Sequence, residues 1–133
     1  MKTLEALVAR GADIGEIADA AIALWSAIDA ALAPVIGPRG STALYKRSLH
    51  LSRGSYPWLG AAYEGAGKPA DFSSLRAALL QQPPARAAAG NYAALKTFHD
   101  LLADLIGRSL TQRLLQAVWE SPSSGTAAQD ASP

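Results

Sequence analysis

The chain contains no cysteine. That excludes disulfides and thiolate metal sites, and it fits a reducing compartment. Histidine is almost as scarce, with two in the chain. A protein metal site would need carboxylates gathered from distant segments, and no metal or cofactor is expected. There is no glycine-rich phosphate loop, no nucleophile elbow and no zinc-ligand spacing, so an enzyme reading has little to stand on. Charge is sparse, at 17% of residues, and nearly balanced at +1, which argues against bulk duplex DNA as a partner. Long hydrophobic runs are missing too. Asp19, Asp29, Lys46 and Asp104 interrupt the apolar stretches before any reaches the length of a membrane span. Glu5 falls where a signal peptide needs its apolar segment. The expectation is a soluble, cytoplasmic protein with no nucleic-acid and no membrane partner. Heavy use of alanine points to a bacterial source. No internal repeat is evident.

What is present is helical periodicity. From Phe98, every fourth residue is large and apolar: Leu102, Ile106, Leu110, Leu114 and Val118. From Lys96, every fourth is polar: Asp100, Asp104, Arg108, Gln112 and Gln116. Residues four apart are neighbours on a helix surface, so these rows predict opposed stripes of one long amphipathic helix over 88–119. Gly107, in a row of small residues beside the apolar stripe, predicts a close approach by a second helix. Asp104 and Arg108 are spaced for an i,i+4 pair, and His99 lies at the stripe's edge.

Upstream, Asp13 and Glu16 have capping-box spacing. Ile14, Ile17, Ala21, Leu24, Ile28, Leu32 and Val35 follow on one face, predicting a helix over 13–35 that Pro34 kinks or ends. A turn at Gly37–Gly40 precedes a helix over 41–53 with Leu44, Ser48 and Leu51 inward. Pro57 fits the first turn of a short helix carrying Trp58, Leu59 and Tyr63. Asp71 predicts the cap of a helix over 71–82 with Leu75 and Leu79 inward. The fold class expected is all-α: an antiparallel helical bundle of four principal helices with a long C-terminal helix, forming one domain over 1–119. Residues 120–133 lack periodicity and read as a disordered tail.

Charge segregates along the chain. Residues 1–36 carry a net −3, whereas residues 37–63 carry Arg39, Lys46, Arg47 and Arg53 with no acid. Within that basic stretch lies Leu49-His50-Leu51-Ser52-Arg53-Gly54-Ser55-Tyr56-Pro57-Trp58-Leu59-Gly60-Ala61. This string resembles the histidine phosphotransfer domain family, in which a basic residue and a glycine follow a phosphorylatable histidine at the third and fourth positions, with an apolar-Gly-small triplet beyond. The resemblance implies His50 as phosphoryl carrier, Arg53 as electrostatic stabiliser and Gly54 as clearance for the partner. Lys46 and Arg47 would steer an acidic response-regulator receiver. Arg53 stands where the family usually has lysine, and Pro57 falls where the family helix normally continues. The other reading is a non-catalytic helical protein-interaction or dimerisation module, with Tyr56, Trp58 and Tyr63 as aromatic anchors that bind another helical protein or a second copy.

Overall fold

The computed structural model describes residues 3–118. Among them there are seven helices and no strand. They are α1 (Thr3–Ala9), α2 (Ile14–Ile36), α3 (Pro38–Ser52), α4 (Leu59–Gly65), α5 (Ser73–Leu80), α6 (Pro84–Ile106) and α7, which starts at 108 and is described to 118. The tail expected over 120–133 lies outside the described residues.

Local chemistry accounts for most boundaries. Asp13 and Glu16 close a full capping box at the start of α2. Pro34 lies inside α2, and the helix runs on past it to Ile36. The stop is Gly37, at φ 85° and ψ 155°, a region open essentially to glycine alone. Pro38 then opens α3 directly, with its fixed φ suiting the first helical position, so the expected four-residue turn contracts to one residue. Asp71 does not cap α5 at the Ncap position, which is Phe72. It accepts from the Ser73 backbone N and hydroxyl just ahead of the helix. At 23 residues with a mean hydropathy of 1.5 over its most apolar window, α2 is long and apolar enough to cross a membrane by length and composition, which corrects the expectation that no segment reaches that length. Its inward row of Ile17, Trp25, Ile28 and Leu32 packs into the core.

The long C-terminal helix is interrupted. At Gly107 the backbone takes φ 94° and ψ 153°, α6 ends, and α7 begins in a new register. Phe98, Leu102 and Val118 are buried as expected, but between them the inward row shifts to Thr111 and Leu115, leaving Leu110 outside. A Cβ at Gly107 would meet nothing, so its role is backbone conformation and not close packing. The close-approach glycine is Gly90 on α6, where a Cβ would overlap the Trp58 ring. The expected Asp104–Arg108 pair spans the break; the i,i+4 pair that forms is Lys96–Asp100, at 3.3 Å.

The two corners belong to a larger pattern. Gly37 and Gly107 lie 70 residues apart, and the same offset superposes the bounds of α2 on those of α6 and sets α1 beside α5. Burial follows it: Trp25, Ile28 and Leu32 match Leu95, Phe98 and Leu102, while Ser41, Tyr45 and Ser48 match Thr111, Leu115 and Val118. Packing follows it too, since α1 contacts α6 and α5 contacts α2. The segments 14–48 and 84–118 therefore repeat one plan, each preceded by a short helix, α1 or α5. Sequence identity between them is sparse and clusters at the corners, Leu32-Ala33-Pro34-Val35-Ile36-Gly37 against Leu102-Ala103-Asp104-Leu105-Ile106-Gly107.

The core is centred on Trp25. Its ring centroid lies 5.1 Å from Tyr45 and 5.4 Å from Phe98, both edge-on. Its indole N–H donates to Asn91 Oδ1 at 2.8 Å, joining α2 to α6 through a buried polar pair.

Candidate functional site: the outer face of α3

The inner face of α3 is hydroxylated, which decides what its outer face carries. Ser41, Tyr45, Ser48, Leu49 and Ser52 are buried. Ser41 Oγ donates to Asp29 at 2.8 Å, Ser48 Oγ to the Leu44 carbonyl at 2.7 Å, and Ser52 Oγ to Thr97 at 3.3 Å. With these hydroxyls satisfied inside, Leu51 turns outward and is 47% exposed, and Leu44 is half-buried. The expected inner row of Leu44, Ser48 and Leu51 is thus rotated: Ser48 keeps its place, and Leu51 moves to the surface.

Arg39, Lys46 and Arg53 succeed one another at steps of seven. A straight helix drifts about 20° per such step, so the three form one stripe about 20 Å long. His50 falls within the stripe and Arg47 flanks it. No acid occurs between Asp29 and Glu64, and among the described residues every ion pair lies elsewhere: Arg76–Asp19, Lys96–Asp100 and His99–Asp100. The Lys46 ammonium sits 5.4 Å from the centre of the Tyr63 ring, presented by α4, and His50 stacks against the same ring at 5.2 Å. The His50 ring is half-buried, and its Nδ1 is buried without a hydrogen-bond partner.

Two open depressions run along this face. One, of about 490 Å³, is lined by His50, Leu51, Arg53, Gly54, Pro57 and Gly60. The other, of about 410 Å³, is lined by Arg39, Thr42, Ala43, Lys46, Gly67 and Pro69. The fold itself makes no demand for glycine at 54 or 60. A Cβ at Gly54 would make only an ordinary 3.7 Å contact with the Leu51 carbonyl, and one at Gly60 would meet nothing.

Of the residues singled out from sequence, His50, Arg53 and Gly54 come together in one depression. The helix ends among them, at Ser52, and Arg53 is its C-cap residue, with Nε donating to the His50 carbonyl at 3.2 Å. Lys46 lies one depression away, and Arg47 is exposed beside the stripe. Tyr56 and Trp58 pair with each other at 6.4 Å. Trp58 is half-buried against Gly90 with its indole N–H unpartnered, and Arg86 lies over the Tyr56 ring. Sequence reasoning offered Tyr63 as an aromatic anchor but missed that its ring holds both Lys46 and His50. It also missed Arg39, whose step of seven from Lys46 and Arg53 was legible in the chain. The loop residues Gly67 and Pro69 gave no signal, because only tertiary packing brings them to α3. No protein-family model matches this chain, and neither a curated protein nor a solved structure matches it.

Proposed function

We propose that the protein is a non-catalytic helical interaction module and that the outer face of α3 docks an acidic surface of another protein. One observation carries the reading: Arg39, Lys46 and Arg47 on α3 and Arg53 at its C-cap share an acid-free stretch, and no carboxylate among the described residues pairs with them. Cations left unpaired on one face raise the local potential, speed encounter with an opposite surface and reject like-charged partners. Leu51, exposed beside the stripe, supplies the apolar contact that lets the centre of such an interface exclude water. The reading takes α2, α3, α5 and α6 to be the four principal helices of an antiparallel bundle, with α3 on its outside.

The test is a titration of the protein into a labelled acidic amphipathic helical peptide, followed by fluorescence anisotropy at low and at physiological salt. Saturable one-to-one binding that weakens with salt is expected. Equal or tighter binding of a duplex oligonucleotide contradicts the proposal.

A second reading, phosphoryl transfer, is favoured by the state of the His50 ring. Its Nδ1 is buried and the ring is held by Tyr63, which leaves Nε2 as the nitrogen for chemistry. In that reading Nε2 attacks the aspartyl phosphate of a receiver domain, the acyl phosphate P–O bond breaks, a P–N bond forms and the carboxylate departs. Acid-labile phosphate on the wild type after incubation with charged receivers, absent from His50→Gln, supports it. Its absence from the wild type with every receiver tried removes it.

A further inference from the structure

Beside the basic depression lies a second, much smaller feature, partly open to solvent past the exposed Lys68 and Ala70. A cavity with about 10 Å³ of room for a water-sized sphere is lined by Asp29, Ser41, Tyr45, Lys68, Ala70 and the rings around Trp25. Tyr45 is 4% exposed, and its hydroxyl is buried with no hydrogen-bond partner. Buried hydroxyls are normally satisfied, so an orphan at a cavity wall points to an occupant.

The other half of the molecule shows that the fold does not require this hydroxyl. Leu115 occupies the position equivalent to Tyr45 and is equally buried. Thr111, equivalent to Ser41, donates its hydroxyl to the Gly107 carbonyl of its own helix turn at 2.7 Å, whereas Ser41 reaches across to Asp29. Among the described residues, the orphan hydroxyl is thus a feature of the first half.

The lining restricts the occupant. Tyr45 needs an acceptor, and the Asp29 carboxylate, which already accepts from Ser41, has further lone pairs to offer a donor. An anion is opposed by Asp29 and a cation by Lys68. The space suits one small neutral molecule that both accepts and donates.

We infer that this cavity is the binding site of one long-lived internal water, which accepts from the Tyr45 hydroxyl and donates to the Asp29 carboxylate. The water braces the loop over the cavity. Lys68 and Ala70 of that loop line the cavity, while Gly67 and Pro69 line the basic depression on α3, and Thr42 borders both. Whatever docks on α3, the site is tested without it.

Magnetic relaxation dispersion of water oxygen-17 counts internal waters that exchange slowly. The dispersion amplitude should fall by one water in Tyr45→Phe relative to the wild type, with helical content unchanged by circular dichroism. Tyr45→Leu, which copies the residue of the other half, should show the same loss and serves if the phenylalanine variant fails to fold. Equal amplitude in wild type and folded variant, or no dispersion in the wild type, overturns the inference.

Discussion

The corner at Gly37 and the corner at Gly107 have nearly the same backbone and different chemistry. Each ends a 23-residue helix at an isoleucine, takes a left-handed glycine and starts a new helix on the next residue. Beyond Gly37, however, the inward row is Ser41, Tyr45 and Ser48, and the outward row carries cations. Beyond Gly107 the inward row is Thr111, Leu115 and Val118. The difference separates what the fold requires from what has been added to it. Helix length, corner geometry and a buried row at the right register recur, so they belong to the fold. Among the described residues the orphan hydroxyl of Tyr45, the Asp29–Ser41 bond and the step-of-seven cations occur in the first half, so the shared fold does not demand them.

The equivalence of the halves can be broken most sharply in the core. Leu32 and Leu102 occupy matching positions and both are fully buried. Leu32→Ala and Leu102→Ala should each lower stability by about 2–5 kcal/mol in denaturant unfolding. A loss under half a kilocalorie at either would show that its stripe is misplaced. Next come the corners. Neither Gly37 nor Gly107 has anything within reach of an added Cβ, so Gly37→Ala and Gly107→Ala report backbone strain alone, about 1–3 kcal/mol each. A large loss at one corner and none at the other would end the claim that they are equivalent.

The pH dependence sharpens the contrast between Tyr45 and Leu115. Burial, assisted by the negative charge of Asp71, pushes the Tyr45 phenol well above its ordinary 10.0. The folded state therefore holds that proton more tightly than the unfolded chain. Its contribution is present in full below pH 10.0 and is lost as pH rises past that value. Wild type should lose stability above that pH more steeply than Tyr45→Phe, whose second half already lacks a phenol at the matching site. Parallel curves would contradict the burial argument. The smallest effect is expected at Gly54. Gly54→Ala should change stability by less than about 0.5 kcal/mol, since the added Cβ has room. Gly90→Ala, facing the Trp58 ring, should destabilise clearly by overpacking.

Much of this architecture was legible in the sequence, and the failures have physical causes. The capping box at Asp13 and Glu16, the start of α2, and the buried positions Ile28, Leu75, Leu79, Phe98 and Leu102 follow from periodicity and local hydrogen bonding, whereas α6 opens at Pro84, ahead of the expected 88. The apolar stripe through Leu110 failed because four-residue spacing persists in the sequence across Gly107, while a single glycine at positive φ resets the helix. The inner face of α3 was misread because apolarity marks burial only when hydroxyls stay outside. Here Ser41, Ser48 and Ser52 go inside with partners, and Leu51 stays out. The repeat escaped notice because burial pattern and corner geometry were retained while side chains changed. At the candidate site, His50, Arg53 and Gly54 were legible as a cluster. Tyr63 was legible as an aromatic anchor, but its place beside α3, like that of the 67–69 loop, is set by the packing of α4 and α5.

The central claim is that the cations of α3 form a docking face for an acidic protein surface. The most direct measurement compares two variants of matched net charge against the same acidic helical peptide at low salt. One carries Arg39→Glu, Lys46→Glu and Arg53→Glu; the other carries Arg10→Glu, Arg108→Glu and Arg113→Glu. Reversal of the α3 stripe should weaken binding by about tenfold or more, and reversal of the dispersed set by less than about threefold. Equal losses in the two variants would mean that the peptide responds to net charge alone and that α3 is not the docking face.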